Sequence, residues 1–306
     1  MGRQVTGALS DVAHVAAFLL LPPLLLGVIN RTKAAFAGRV GPPYLQGYYD
    51  LVKLWRKGSV FSTSTSWVFK AGPVVGVATA ALAAALVPVA GHAPLSFEGD
   101  AILFAYLFAL GRFFTIAAAL DTGSAFEGMG AAREATFSSL AEPALFFGLV
   151  VLGRLARSLS LEAMLTSGNW PPRATASLVL VIAALFIVLL AENSRIPFDD
   201  PNTHLELTMI HEVMVLDHGG PALGAALYGA SLKLFVLAAV VVGIALPVPH
   251  GSPWLSWVAL LAGLLAVAVA IGVVESVMAR LRLVHVPSLL VAACLLSAFG
   301  IVLLAR

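Results

Sequence analysis

Residues 174–192 read ATASLVLVIAALFIVLLAE, and this stretch carries no charged side chain before its last position. A helix that crosses the hydrocarbon core of a bilayer needs about 20 predominantly apolar residues, so the stretch predicts a transmembrane helix. Seven other stretches have the same character. The chain therefore predicts eight spans, near residues 11–30, 71–90, 100–120, 137–156, 174–192, 220–246, 254–275 and 286–305.

The composition of the whole chain agrees with this interpretation. Of the 306 residues, 60% are hydrophobic and 11% are charged, and the mean hydropathy is +0.96. A soluble domain carries roughly 25% charged residues, so this chain cannot cover a surface that faces water. We predict an all-α polytopic integral membrane protein with one domain over 1–306. The first apolar run is not followed by a small-residue cleavage site, so we interpret it as a permanent helix.

Several functions are excluded by what the sequence lacks. The basic residues behind the net charge of +2 are not gathered into a solvated nucleic-acid-binding domain. The single cysteine, Cys294, cannot form a disulfide framework, nor can it alone hold an iron–sulfur cluster, which needs about four thiolates. His211–Glu212 opens like a zinc-protease motif, but Val215 stands where the second histidine is required. We predict no catalytic residue, no cofactor and no metal in this chain.

Basic residues are concentrated in the connection after the first span. This connection contains one acidic residue, Asp50, against Arg31, Lys33, Arg39, Lys53, Arg56, Lys57 and Lys70. Connections rich in lysine and arginine stay in the cytoplasm. We therefore predict that residues 31–70, 121–136, 193–219 and 276–285 are cytoplasmic loops and that both termini lie outside.

Three charged residues lie inside predicted spans, namely Arg112, Glu142 and Lys233. A charge near the bilayer centre costs about 2.5–3.5 kcal/mol even on insertion scales, so such groups usually face the protein interior and form pairs. Glu142 could pair with either base. A functional pathway for ions is one interpretation; structural ion pairs, or an arginine that extends to the membrane surface, are the alternatives.

A second group of polar residues occupies 192–218, ENSRIPFDDPNTHLELTMIHEVMVLDH. Its carboxylates are Glu192, Asp199, Asp200, Glu206, Glu212 and Asp217. Crowded carboxylates raise one another's pKa, which suits groups that exchange protons near neutral pH. Asp200 followed by Pro201 predicts the start of a short helix. A merely solvated acidic loop is the alternative, but the apolar residues in this segment argue against it.

The segment 43–57, PYLQGYYDLVKLWRK, predicts an amphipathic helix at the cytoplasmic membrane surface. In a helix, Gln46, Asp50, Lys53 and Lys57 share one face, and the other face contains Tyr48, Leu51, Val52 and Trp55. Simple anchoring by tyrosine and tryptophan would explain the apolar face. It does not require the ordered polar face, which we interpret as a docking surface.

These segments together resemble a known family. GPPYLQGYYDLVKLWRK (41–57) is similar to the cytoplasmic segment after the first helix in the membrane subunit of respiratory complex I that joins its membrane and peripheral arms. Arg133, followed nine residues later by Glu142, resembles that subunit's Arg-to-Glu spacing. ENSRIPFD (192–199) resembles its Glu-to-Arg-x-Pro-Phe-Asp signature. The resemblance extends over nearly the whole chain.

Other segments resemble a sister branch, the membrane subunit of formate hydrogenlyase and related group 4 nickel–iron hydrogenases. They are DDPNTHLELTMIHEVMVLD (199–217), DTGSAFEGMGAAREA (121–135) and VESVMARLR (274–282). Asn30 and Gly58 replace acidic residues that are usual in complex I, and its Tyr-Asp-Gln trio is missing from Arg280–His285. This resemblance implies a subunit of a hydrogen-evolving complex in the inner membrane of a prokaryote.

The resemblance also implies a division of labour. The nickel–iron centre and the iron–sulfur clusters are expected in partner subunits, namely the hydrogenase large and small subunits and an iron–sulfur subunit, with antiporter-like subunits beside this chain in the lipid. The pathway candidates are Glu142, Lys233, Arg112, Glu192, Asp199, Asp200, Glu206, Glu212 and Glu275, and the docking candidates are Gln46, Asp50, Lys53, Lys57, Arg133 and Arg195.

Three alternatives stay open at this point. One is the quinone-site subunit of a complex I-like NADH or other dehydrogenase, which requires an amphipathic cavity near residues 31–50. Another is a hydrogenase-related complex whose large subunit lacks the nickel–iron centre. The third is a stand-alone ion transporter, which the crowded cytoplasmic loops disfavour.

Overall fold

The computed structural model describes residues 2–89, 91–166, 170–199, 209–246 and 253–305, with side chains throughout these ranges except at 2–9 and 253. Regular structure in these ranges is helical, apart from an isolated bridge between Val89 and His92. The prediction of an all-α fold is therefore confirmed. Asp200 and Glu206, and the short helix expected after Asp200, lie outside the described residues.

Twelve α-helices follow one another through the described ranges. They are α1 (Gly2–Leu20), α2 (Pro22–Phe36), α3 (Gln46–Trp55), α4 (Trp67–Leu86), α5 (Asp100–Asp121), α6 (Ala125–Ala156), α7 (Leu161–Thr166), α8 (Thr175–Glu192), α9 (His211–Met214), α10 (Gly220–Ala245), α11 (Pro253–Val277) and α12 (Val286–Leu304). Short 3₁₀ turns at Pro172–Ala174 and Leu283–His285 precede α8 and α12.

Seven helices within the described ranges are long and apolar enough to cross a membrane: α4, α5, α6, α8, α10, α11 and α12. The chain is therefore a multi-pass membrane protein. The helices α1 and α2 meet at a bend of 46° and make an eighth span if the pair crosses as one. The bend coincides with Pro22–Pro23, because proline lacks the backbone N–H that a continuous helix needs and its ring clashes with the preceding turn.

The helix α6 begins much earlier than the hydropathy predicts. The span was expected near 137, with 121–136 as a loop, but α6 starts at Ala125 and most of that expected loop is helical. Its first turns pack against α9: a Cβ at Gly130 would lie 2.3 Å from the side chain of Val213. Tertiary packing therefore extends the helix into polar sequence, which a hydropathy window cannot detect.

Close helix contacts determine where the buried charges lie. A Cβ added to Gly72 of α4 would lie 2.7 Å from Ala118, and one added to Gly111 of α5 would lie 2.6 Å from the Thr79 hydroxyl. Small residues let helix backbones approach in membrane proteins. This contact fixes α5, and with it Arg112, against α4, which itself packs against the central helix α10.

The helix α3 forms where the sequence predicts an amphipathic helix, but Lys57 lies just beyond its end. It packs through Gly47 against Pro23, through the buried Leu51, and through Leu54 near Gly224. Val52 and Trp55, which the sequence puts on the apolar face, are exposed, although the Trp55 ring also lies against Gly224 of α10. The polar face holds a hydrogen bond of 2.9 Å from the Gln46 amide to the Asp50 carboxylate.

Candidate functional site

Arg112 of α5 lies at the centre of a buried set of charges. Its guanidinium donates hydrogen bonds to Glu142 of α6 and to Glu192 at the end of α8. Its Nε lies 3.5 Å from a carboxylate oxygen of Glu134, also on α6. Of the two bases that the sequence offers to Glu142, the structure therefore pairs it with Arg112, whose side chain is only 7% exposed and does not extend to the surface.

Lys233 of α10 joins the same set from the other side. Its Nζ lies 3.5 Å from Glu192 Oε2, so Glu192 stands between two cations. We call Arg112, Glu134, Glu142, Glu192 and Lys233 the Arg112 network. It contains three carboxylates and two cations, so with every group ionised its charge is −1. Buried charges of this kind are costly unless they compensate one another.

The members of the network differ in their access to the outside of the bundle. The side chains of Arg112 and Glu192 are each 7% exposed, whereas that of Glu142 is 39% exposed. Glu142 lies well inside α6, where the surrounding sequence is apolar. A carboxylate is therefore presented sideways from a buried network, on a face that another helix could cover.

A second cluster lies near the ends of α2 and α11. The Glu275 side chain is fully buried, with the Lys33 amine 2.8 Å away and the Arg195 guanidinium 3.4 Å away. Three separate parts of the chain therefore meet on one carboxylate. Since two cations compensate it, Glu275 fits a fixed anchor as well as it fits a pathway residue.

Asp199 organises the segment before α10. One of its oxygens accepts hydrogen bonds from the backbone N–H groups of Ile210, at 2.8 Å, and His211, at 3.3 Å. Its other oxygen lies 3.3 Å from the Arg280 guanidinium. Arg133 donates to the carbonyl oxygen of Met209 at 2.7 Å. This carboxylate, whose side chain is 1% exposed, thus fixes the start of α9 and leaves its neighbour His211 in a defined position.

Two cavities adjoin these groups. The inner cavity, of about 70 Å³, lies among α4, α5, α9 and α10 and is lined by Arg112, Glu134 and Lys233 together with His211 and His218. The α3 cavity, of about 230 Å³, lies beneath α3; its polar lining includes Asn30, Asp50, Arg195, Asp199, His211 and Glu212. The inner cavity therefore opens onto the Arg112 network, and the α3 cavity onto the acidic connection.

Burial shifts the titration of the groups around α9. It lowers the pKa of His211 to about 4, helped by the positive charge of Lys233, and it lowers the pKa of His218 to about 4 despite the nearby Asp217. It raises the pKa of Glu212, to which the charge of Asp199 also contributes. At neutral pH both imidazoles are uncharged, so each offers one donor and one acceptor nitrogen.

The structure divides the predicted site residues into separate groups. Arg112, Glu142, Glu192 and Lys233 come together, while Glu275 joins Arg195 in the second cluster. Gln46, Asp50, Lys53 and Lys57 stay on α3 and just after it. No group of three or more His, Cys, Asp or Glu residues in the described ranges is arranged to hold a metal ion.

Glu134, His211 and His218 were not among the predicted site residues. Glu134 lies about two helical turns before Glu142, so an earlier start of α6 in the prediction would have put both on one helix. The two histidines gave no such signal, because their meeting with Arg112 and Lys233 depends on how the connection folds back.

Comparison with known proteins identifies a family and two similar membrane subunits. Residues 10–306 match the family model described as NADH dehydrogenase. Formate hydrogenlyase subunit 4 of Escherichia coli (strain K12) is 35% identical over 269 residues, covering 85% of this chain and 87% of the relative. Hydrogenase-4 component C of the same organism is 33% identical over 237 residues, covering 77% and 74%.

A solved structure shares the fold. A chain of the membrane-bound sulfane sulfur reductase, described as an archaeal respiratory membrane complex, superposes with a TM-score of 0.81 over 96% of this chain and 98% of that one. At 20% sequence identity, this likeness supports the arrangement of the helices and no shared activity.

Proposed function

The chain belongs to the NADH dehydrogenase family and is a membrane subunit of a complex I-like hydrogenase, and from this premise we propose that it couples a soluble redox arm to ion movement in the membrane. In this proposal the chain anchors the arm at the end of the bundle that carries α3. It then passes protons, or the charge displacement that follows them, towards antiporter-like partner subunits.

The Arg112 network is the observation that carries the proposal. A passive anchor has no need for three carboxylates and two cations inside its bundle, since each buried charge adds a desolvation cost. The network also has one more carboxylate than cations, so it can hold a proton at neutral net charge. Protonation at the α3 end would therefore change the balance of attractions around Arg112.

The exposed side of Glu142 supports an exit towards a partner. Its carboxylate is the most exposed of those that contact Arg112. If lipid covered it, the carboxylate would face hydrocarbon, which is costly. A polar helix of an antiporter-like subunit would instead continue the network.

Docking of the redox arm is proposed at the end of the bundle that holds α3. Asp50 and Lys53 are exposed there, Gln46 is half-buried beside the α3 cavity, and the surrounding connection is rich in cations. The nickel–iron centre and iron–sulfur clusters would lie in the docked subunits, with this end of the bundle in the cytoplasm of a prokaryotic cell and both termini outside.

The variant Glu142→Gln tests the proposal. Glutamine keeps the shape and a hydrogen-bond acceptor for Arg112 but cannot carry a proton. We expect redox turnover with artificial donors to persist, while ions moved per electron fall by about tenfold or more, as when a proton-transfer group is removed. Glu162→Gln, at the other end of the bundle, is the matched control and should keep the wild-type ratio.

Two outcomes would contradict this role for Glu142. If the variant assembles and moves ions at the wild-type ratio, Glu142 is not on the pathway. If assembly and turnover are lost together, the carboxylate serves as half of a structural ion pair, because its absence leaves Arg112 less compensated.

The α3 cavity favours one second function, a quinone site. Its walls combine apolar residues such as Leu51 and Leu234 with polar ones such as Asn30 and Arg195, and its volume is about 230 Å³. Apolar walls with a few polar groups suit an aromatic head group. A quinone site predicts that the purified complex reduces a short-chain quinone and that Leu51→Trp, which fills the cavity, abolishes this; no reduction by the wild type would remove the candidate.

A further inference from the structure

His211 lies in the wall between the two cavities. The residues that line both the inner cavity and the α3 cavity are His211 and Ala230, and no other described residue is shared. His211 begins α9, and Ala230 lies on α10. The two cavities therefore meet at these two residues.

Titratable groups lie on both sides of this wall. The inner cavity presents Arg112, Glu134, His218 and Lys233. The α3 cavity presents Asp50, Arg195, Asp199 and Glu212. A proton taken up by a carboxylate of the α3 cavity would thus find groups that can accept it, such as Glu134, in the inner cavity on the other side of His211.

The backbone of His211 is held in place, while one of its ring nitrogens is left available. The backbone N–H of His211 donates to Asp199, which holds the start of α9 in place. The ring atom Nε2 is buried and has no hydrogen-bond partner among the described residues. Buried polar atoms are usually paired, and an unpaired one calls for an explanation. A histidine that only filled space would not need a buried ring nitrogen without a hydrogen-bond partner.

The chemistry of imidazole fits the position. Because burial keeps its pKa near 4, the ring is neutral at rest, with a lone pair on one nitrogen and a proton on the other. A proton can bind to the lone pair while the proton on the other nitrogen leaves. The ring is then neutral again, one proton has crossed it, and no electron has moved.

Water completes the path on the inner side. A cavity needs about 10–15 Å³ to hold one water molecule, and the inner cavity of about 70 Å³ exceeds this several times. Its polar lining offers the partners that ordered water requires. Water between His211 and Glu134 would therefore carry the proton on to the Arg112 network.

We propose that His211 transfers protons between the α3 cavity and the inner cavity, and that the small side chain of Ala230 keeps the space beside the ring open. This inference rests on the proposed coupling function and adds the step by which protons reach the Arg112 network.

The test uses the whole complex, purified with this chain and placed in liposomes. Proton movement per electron is measured in His211→Gln and Ala230→Leu, with His92→Gln and Ala222→Leu as controls at positions that line neither cavity. We expect proton movement to fall by about tenfold or more in the first two variants, while turnover measured with a protonophore stays within about twofold of wild type.

Added imidazole gives a readout that a structural role would not change. In His211→Ala, free imidazole at millimolar concentration should restore part of the proton movement, because it can occupy the vacated space. It should not restore Ala230→Leu, where the space is filled. If His211 variants fail to assemble, the contrast between Ala230→Leu and Ala222→Leu, which lines neither cavity, decides the question.

The outcomes distinguish proton transfer through His211, called the relay below, from the proposed coupling function on which it rests. A wild-type complex that generates no ion gradient overturns the coupling function and the relay together. A wild-type complex that moves protons equally well with His211→Gln or Ala230→Leu overturns the relay alone. So does a complex that moves sodium and no protons.

Discussion

Arg112 shows how one residue can be required both for assembly and for coupling. Three carboxylates converge on its guanidinium, and without it they would repel one another inside the bundle. Removing one partner of a buried ion pair costs about 3–5 kcal/mol, so Arg112 variants would confuse loss of structure with loss of function. The carboxylates, replaced by glutamine one at a time, report on the pathway more directly.

The buried His218 makes stability depend on pH. Its ring stacks on Phe69 with centroids 3.9 Å apart, and burial lowers its pKa from 6.5 to about 4. Between these values the unfolded chain binds a proton that the folded chain does not, so stability is lost as pH falls below about 6.5. From pH 7.5 to 5.5 we expect a loss of roughly 1.4 kcal/mol from this residue.

Thermal unfolding of the purified protein at the two pH values measures this loss. His218→Phe keeps an aromatic ring against Phe69 but cannot titrate, so its melting temperature should fall less on acidification than that of the wild type. His92→Phe, at an exposed histidine, should behave as the wild type does. Equal acid sensitivity in the wild type and His218→Phe would refute the assignment.

For single residues, the sequence points to a functional candidate only when the residue differs in polarity from its neighbours in the chain. Arg112, Glu142 and Lys233 stand out because a charge in an apolar run is expensive. Glu134 lies in a polar stretch, and His211 in a connection rich in other polar residues, so neither is conspicuous. Their role depends on contacts between segments distant in sequence, which the pattern does not contain.

Among the elements, α3 is the best candidate for contact with partner subunits. It packs on the bundle through Gly47, Leu51 and Leu54, which leaves Asp50 and Lys53 exposed. A helix that served only to anchor the chain in lipid would not need this paired polar face. Its contacts with α2 and α10 also connect any docked subunit to the helix that carries Lys233.

We expect Lys53→Ala, and separately Asp50→Ala, to weaken attachment of the soluble arm more than they affect folding. Each variant removes one exposed charge and no buried apolar contact, so the bundle should stay intact, whereas a charged partner would bind at least about fivefold more weakly. Co-purification of soluble subunits, normalised to this chain, measures the effect. Arg154→Ala, an exposed cation at the other end of the bundle, is the control. Unchanged subunit stoichiometry and activity would mean that the polar face does not bind the soluble arm and that α3 only anchors the chain at the membrane surface.

The extents of the helices show what hydropathy can predict. The apolar runs coincide with α4, α5, α8, α10, α11 and α12, because lipid imposes an apolar surface on every span. They do not predict the polar start of α6, which is stabilised by packing against α9. Nor do they show that the first run is bent, although Pro22–Pro23 is the local cause.

Over the whole molecule, charge distinguishes the two ends of the bundle. The end with α3 holds Lys33, Arg195 and Arg280 in ion pairs, and most of the cations that are exposed among the described residues. The bent pair reaches both ends: Asp11 of α1 lies 3.3 Å from His92, and Lys33 of α2 contacts Glu275. This geometry favours one broken span and hence eight crossings, with both termini at the end opposite α3.

Cysteine labelling from one side of the membrane tests this topology. Ser62 lies at the α3 end, and Ser10 and Ser96 lie at the opposite end. In a Cys294→Ala background, a membrane-impermeant maleimide applied to intact cells should label Ser10→Cys and Ser96→Cys, because the positive-inside rule puts the α3 end in the cytoplasm. Ser62→Cys should react only after the membrane is opened. Pro249, an alternative position on the outer side, lies outside the described residues.

The pattern of labelling separates the orientation from the number of spans. If Ser62→Cys reacts in intact cells and the other two do not, the eight spans hold and the orientation is inverted, which would put the docking face outside. If Ser10→Cys and Ser62→Cys react from the same side, the bent pair does not cross the membrane. The pair would then be a re-entrant loop, and the protein would have seven spans. Lys33, which contacts Glu275, belongs to this pair. The anchoring of the Glu275 carboxylate would then depend on a segment that enters and leaves the membrane on one side.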